Sequence, residues 1–189
     1  MDYKKTYCYI AEGKEVGNVH RQYHDQQYGF PIRDDNELFG RLLLEINQAG
    51  LSWDTILKKQ ENFRRAYDNF VIEKVADYQE QDRERLLSDA GIIRNKLKVN
   101  AAIHNANVIL GLQSEHGSFY AWLNIQHPKS KDEWVKLFKK TFKFTGGEIT
   151  NEFLMSTGYL PGAHHPDCPT YERVAKYSPK WMQHSSKTK

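Results

Sequence analysis

The chain has 189 residues, enough for one compact domain with a real core, and its 39% hydrophobic and 27% charged residues describe a globular protein rather than a disordered one. No apolar run approaches the roughly 18 residues that span a bilayer, and MDYKKTYCYI carries no apolar signal core, so a cytoplasmic protein with no membrane contact is expected. The formal net charge of +3 is too small to argue for nucleic acid by itself.

The pattern along the chain is helical. Asp34 and Asp35 can cap a helix whose Leu38, Phe39, Leu42, Leu43 and Ile46 form a one-sided apolar stripe. Ala49-Gly50 breaks it, and Ser52 starts a second helix through Ile56, Leu57, Phe63 and Tyr67. A short helix surrounds Val75, and another ends in RLLSDAG. After Gly91-Ile92-Ile93 comes a long helix with Leu97, Ala101, Val108 and Ile109. Ser130 and Glu133 form a capping box that opens a helix carrying Trp134, Leu137 and Phe138. The last clear helix runs from about Glu148 to Ser156. No segment alternates long enough to be a strand, so the fold class is all-α.

Charge is unevenly distributed. Between Asp89 and Glu115 there is no acidic residue, while Arg94, Lys96 and Lys98 follow directly on GII. A helix ending at Gly91, a tight turn and a second helix opening with cations form a shape that can hold a phosphate, because backbone amides at a helix start are free. An ordinary turn between two helices has the same outline. Beyond Cys168, residues 169–189 form a basic extension, read as a solvated tail.

Glu45 lies seven residues after Leu38 and three after Leu42, on their apolar face. A carboxylate there is costly unless it is paired. It is either matched by a neighbouring Arg or helix end, or held in a pocket for a cationic or hydrogen-bonding ligand. Trp53, just past the glycine turn, can offer such a ligand a stacking wall. Near the C-terminus, GAHHPDCP contains a His-x-x-x-Cys spacing that is half of a metal site. Its partners cannot be read from spacing alone.

Several stretches together resemble the 3-methyladenine DNA glycosylase I family, a branch of the helix-hairpin-helix DNA glycosylases. They are YHDQQYG (23–29), QAGLSW (48–53), ILKKQENFR (56–64), DAGIIRNKLK (89–98), TFKFTGGEITNEFLMSTG (141–158) and HHPDC, and they occur in family order. The resemblance implies a single helical glycosylase domain over residues 1–168, with its helix-hairpin-helix at about 80–110. It implies a structural Zn²⁺ joining the two ends of the chain through Cys8, His24, His164 and Cys168, with His20 and His165 outside the set. Two thiolates and two imidazoles make a closed tetrahedral shell with no open position for catalysis.

The resemblance further implies an enzyme that flips an N3-alkylated purine out of duplex DNA and hydrolyses its glycosidic bond, without lyase activity, acting as a monomer. Gly91, Ile92, Arg94, Lys96 and Lys98 would grip the backbone, and Gly50 and Leu51 would fill the vacated stack. Tyr23, Trp53 and Tyr28 would hold the base, and Glu45 would accept hydrogen bonds from it and attract its charge.

Two features depart from the family pattern. Tyr28 stands where the family has Trp, and Cys8-Tyr9-Ile10 replaces Cys-x-Trp; Glu148 and Glu152 also add acid to the GGEITNEF segment. A helix-hairpin-helix module that binds DNA without catalysis is the alternative. A zinc deaminase is excluded by the absence of His-x-Glu with Pro-Cys-x-x-Cys.

Overall fold

The helix starts are written in the sequence as side chains that accept from the first free amides. The computed structural model describes residues 2–183. Thr6 caps α1 (Tyr7–Glu12) and Asn18 caps α2 (Val19–Gln26). The Asp34 carboxylate takes the Glu37 amide at 2.9 Å and opens α3 (Asp35–Gln48). Ser52 opens α4 (Trp53–Ala66), followed by α5 (Ile72–Ala76), α6 (Glu80–Ser88) and α7 (Lys96–His116). Then come α8 (Phe119–Gln126) and α9 (Lys131–Thr141), the latter opened by the expected Ser130–Glu133 capping box. The last two are α10 (Gly147–Ser156) and α11 (Pro169–Ala175). No strand occurs among the described residues, and none of their helices is long and apolar enough to cross a membrane. The all-α expectation holds.

Contacts divide the chain into two units, Ile32–Thr150 and Met1–Pro31 with Asn151–Lys189. In the first, α7 packs against α3, α5, α6 and α8, which is why it buries Val99, Ala102, Ala106 and Ile109. Asp35 does more than begin its helix. Its carboxylate takes the amides of Phe119 (2.7 Å) and Tyr120 (2.9 Å) and the Gln113 side chain (2.7 Å), so it caps α8 from a distance. Phe119, Trp122, Phe138 and Phe142 form a buried aromatic cluster, with Phe138 and Phe142 centroids 5.2 Å apart. Burying each such ring is worth about 1.5–3 kcal/mol, so this cluster anchors α8 and α9. Gly40 lies in α3 beneath Phe70, and a Cβ there would stand 2.8 Å from Cγ of that ring. Only glycine lets the ring seat.

In the second unit, α1 and α2 pack together and the chain after Cys168 folds back. This differs from the solvated tail expected from charge. Thr170 and Val174 are buried, Tyr171 and Trp181 rings lie 5.9 Å apart, and the Trp181 amide donates to the Gly158 carbonyl at 3.3 Å. Residues 184–189 of that extension lie outside the described residues. At seven residues α11 is too short to show a period, and its start is marked only by Pro169 at the first turn. The helices α1, α2 and α8 escaped the sequence reading for the same reason.

Candidate functional site

In the second unit, α1 carries Cys8, α2 carries His24, and the segment leading into α11 carries His164 and Cys168. The four are buried, and one donor atom from each lies within 4.8 Å of the others. His24 Nε2 and His164 Nδ1 are 3.2 Å apart, Cys168 Sγ is 3.5 Å from His24 Nε2, and Cys8 Sγ is 3.7 Å from His164 Nδ1. Four-coordinate bonds of about 2.0–2.3 Å place neighbouring nitrogens about 3.3 Å apart and nitrogen–sulfur pairs about 3.6 Å apart. The spacing is that of a tetrahedral shell.

The rings are also oriented for a cation. His24 Nδ1 is 2.7 Å from the Asp25 carboxylate, and His164 Nε2 donates to the Tyr28 carbonyl at 2.7 Å. Each imidazole therefore spends its N–H on an outer partner and turns its lone pair inward. Burial pushes the Cys8 thiol up, but hydrogen bonds with His164 and His24 and from the His165 amide outweigh it and bring it down. Burial, with the neighbouring Cys8 charge, pushes the Cys168 thiol up. Two thiolates side by side resist full ionisation until a cation offsets them. This cluster can hold a metal ion. The rings of the two other histidines near it are engaged elsewhere: His20 Nδ1 is 3.1 Å from the Tyr7 hydroxyl, and the His165 ring packs at a tilt against Tyr3 with centroids 5.4 Å apart.

The cluster and the aromatics are mechanically joined. Tyr23, 3% exposed, precedes His24 on α2, and its ring packs at a tilt against Tyr28 with centroids 5.5 Å apart. Gly29 has φ +79°, and a Cβ there would meet Ala163 at 2.8 Å and His164 at 3.2 Å. Tyr28 and Glu152, both departures from the family pattern, turn out to be partners, because the Tyr28 hydroxyl donates to Glu152 at 3.2 Å. Glu148 instead pairs with Lys131 at 3.5 Å.

In the other unit, Glu45 on α3 is 3% exposed, so the apolar-face placement is real. Five residues later Gly50 adopts φ +82°, with nothing within 4 Å of a Cβ there, and Leu51 is 38% exposed. The Leu51 amide donates to the Gln48 carbonyl at 2.7 Å, and the Gln48 side chain donates to the Leu51 carbonyl at 3.0 Å. This small turn is stiff at its base and open at its tip. Trp53 is half-buried as the first residue of α4.

The hairpin joins α6 to α7 through residues 89–95. Its Gly91 amide donates to Asp89 at 2.7 Å, and its carbonyls accept from α4: Lys59 reaches Ala90 (2.9 Å) and Gly91 (3.1 Å), and Asn62 reaches Gly91 (3.2 Å). Those α4 buttresses lie inside ILKKQENFR, but nothing in their spacing announces a distant hairpin. The amides expected to be free at the start of α7 are in part taken, since Asn95 accepts from Leu97 (3.0 Å) and Lys98 (3.2 Å). Among the described residues, the Ile93 and Arg94 amides have no acceptor. Ile92 is buried, whereas the Arg94 and Lys96 side chains are exposed without an ion-pair partner among those residues.

Lys98 behaves differently. It is 4% exposed, its ammonium donates to the carbonyls of Asn47 (2.8 Å) and Ala49 (2.7 Å), and it stands 5.8 Å from the Phe144 ring. It shares its helix face with buried Ala101 and Ala102, while Lys96 shares its face with exposed Asn100. Helical phase, which a cluster of cations read as a run conceals, separates the two lysines.

The methyladenine glycosylase profile matches residues 14–171. The chain is 38% identical to DNA-3-methyladenine glycosylase 1 of Escherichia coli strain K12, over 79% of this chain and 89% of that one. It is 32% identical to DNA-3-methyladenine glycosylase of Haemophilus influenzae strain Rd, over 80% and 92%. Its fold is similar to that of 3-methyladenine DNA glycosylase I from Staphylococcus aureus, solved to explain how that enzyme recognises 3-methyladenine. That TM-score is 0.74 at 33% identity, covering 85% of this chain and 94% of that one. With most of its length matched and its all-helical fold shared, the chain belongs to the methyladenine glycosylase family.

Proposed function

We propose that this protein is a DNA-3-methyladenine glycosylase that flips N3-alkylated purines from duplex DNA and releases them by hydrolysis, without lyase activity. The observation that carries this is the buried Glu45 carboxylate on α3, five residues before an open Gly50–Leu51 turn, in a chain of this family. N3-alkylation makes the purine cationic and a good leaving group, so the protein's task is to hold the base and position water. Glu45 attracts that positive charge and accepts hydrogen bonds from the exocyclic amine; burial strengthens both interactions. Trp53 can offer a face to an electron-poor ring, and the family resemblance adds Tyr23 and Tyr28 as residues that hold the base. Leu51 occupies the space that the flipped base leaves. The Ile93 and Arg94 amides, with the Arg94 and Lys96 side chains, take backbone phosphates next to Gly91 and Ile92.

The metal belongs to the scaffold in this reading. Two Cys and two His at tetrahedral spacing suit Zn²⁺ and leave no position for an activated water. Cys8, His24, His164 and Cys168 would hold the ion, and through it fix α2 and Tyr23.

Base release tests the proposal. Duplex DNA treated with a methylating agent should yield free 3-methyladenine by chromatography, and Glu45→Gln should lower the single-turnover rate at least tenfold, the scale of one charge-assisted hydrogen bond. Strand breaks should appear only after alkali. A protein that binds duplex and releases no base is a binding module, and a fully active Glu45→Gln removes Glu45 from the chemistry.

A further inference from the structure

A buried ammonium with no carboxylate beside it needs an explanation, and the place where Lys98 ends supplies one. α3 stops at Gln48, and its last carbonyls have no partner within the helix. Three consecutive carbonyls are satisfied by other means. Gln48 accepts from the Leu51 amide, while Asn47 and Ala49 both accept from Lys98. The ammonium stands at the negative pole of α3, where a cation is favoured, and the Phe144 ring stands on a further side. Among the described residues it forms no ion pair. Burial also lowers its pKa. With two of its three donors committed to carbonyls and 4% exposure, it is poorly placed to reach a phosphate.

We infer that Lys98 is a positioning residue: it clamps the Asn47 and Ala49 carbonyls and so fixes the Gly50–Leu51 turn relative to the start of α7. One side chain thereby ties the turn that enters the base stack to the hairpin that holds the backbone. Without the clamp, Ala49 keeps no side-chain anchor, and the φ +82° of Gly50 gives the backbone freedom to relax. This inference rests on the proposed glycosylase reading for its consequence in excision, but the clamp itself is independent of it.

The experiment uses the full chain with Lys98→Met, which keeps the stem and removes the donors, and Lys98→Arg, which restores them. Hydrogen exchange at the Leu51 amide should quicken about tenfold in Lys98→Met, the scale of one lost hydrogen bond, and recover in Lys98→Arg, while amides inside α7 hold their protection. Single-turnover excision should fall with it, and Leu51→Ala combined with Lys98→Met should fall no further than Leu51→Ala alone. The slope of DNA affinity against salt should stay unchanged, because no phosphate contact is lost. A slope shallower by about 0.9 would make Lys98 a phosphate ligand and overturn the inference. Unchanged Leu51 exchange would overturn it equally. Should Lys98→Met fail to fold, the wild-type protein answers instead: the Lys98 ammonium proton resonance should persist and hold its position when undamaged duplex is added, and a shift would refute the clamp. A wild-type chain that releases no base sinks the glycosylase reading, while the exchange result still decides the clamp.

Discussion

Replacing Cys168 by Ser removes one of four donors from a cluster whose donor atoms all lie within 4.8 Å of one another, with Cys168 Sγ 3.5 Å from His24 Nε2 and 4.0 Å from His164 Nδ1. A hydroxyl stays protonated where a thiolate would ligate, so the ion's affinity collapses. A site filled at free metal about a thousandfold above its Kd contributes about 4 kcal/mol to stability by mass action. For a chain of this size each kcal/mol moves the melting point by about 2–4 °C, so the variant should melt about 8–16 °C lower. Scanning calorimetry beside elemental analysis for metal measures both sides of the claim. The wild type should carry one Zn per chain, and Cys168→Ser should carry little and melt early. Treating the wild type with a strong chelator should give the same melting point as the variant. His165→Ala is the control, since that ring lies against Tyr3 and the backbone amide, which the substitution keeps, is what donates to Cys8. It should keep its metal. A wild type that takes up no metal when supplied with Zn²⁺, or that melts with Zn²⁺ present where Cys168→Ser melts, would refute the reasoning, because the cluster would then be an ordinary hydrogen-bonded core.

Gly40→Ala pits two terms against each other. Alanine gains about 1 kcal/mol in a helix interior, but its Cβ would press into Phe70, a ring 1% exposed and held by the left-handed run Asp68–Asn69–Phe70, at a cost of about 1–3 kcal/mol. Urea unfolding should show a net loss of about 1 kcal/mol, and a gain would mean that the ring is free to move. Tyr28→Phe removes the donor to the half-buried Glu152 and should cost about 1 kcal/mol; Glu152→Gln should then cost little more in the double variant, and additive losses would deny the coupling. Lys98 is held below its ordinary pKa of 10.5 by burial, so the unfolded chain binds more protons between the folded value and 10.5. Stability from this residue should therefore rise with pH through that window, and the rise should vanish in Lys98→Met when urea midpoints are compared pH by pH.

Most of the long helices begin where the line of residues says they do, because a cap is local chemistry. Asp34, Ser52 and Ser130 each accept from an amide three residues on, and they do so whatever surrounds them. The line of residues also placed Glu45 on a buried face, since helical phase is a one-dimensional property. Family motifs then pointed to Cys8, His24, His164 and Cys168, which lie at both ends of the chain, which no spacing could have joined and which the structure gathers into one cluster. Features that depend on a partner far along the chain emerge only once the helices are packed. Asp35 caps α8 more than eighty residues away, Lys59 and Asn62 hold the hairpin, and Glu152 answers Tyr28. Lys96 and Lys98 are the plainest case: two cations two positions apart look alike in a line of letters. Two positions on a helix turn the second away from the first, and the carbonyls waiting at the end of α3 take its charge.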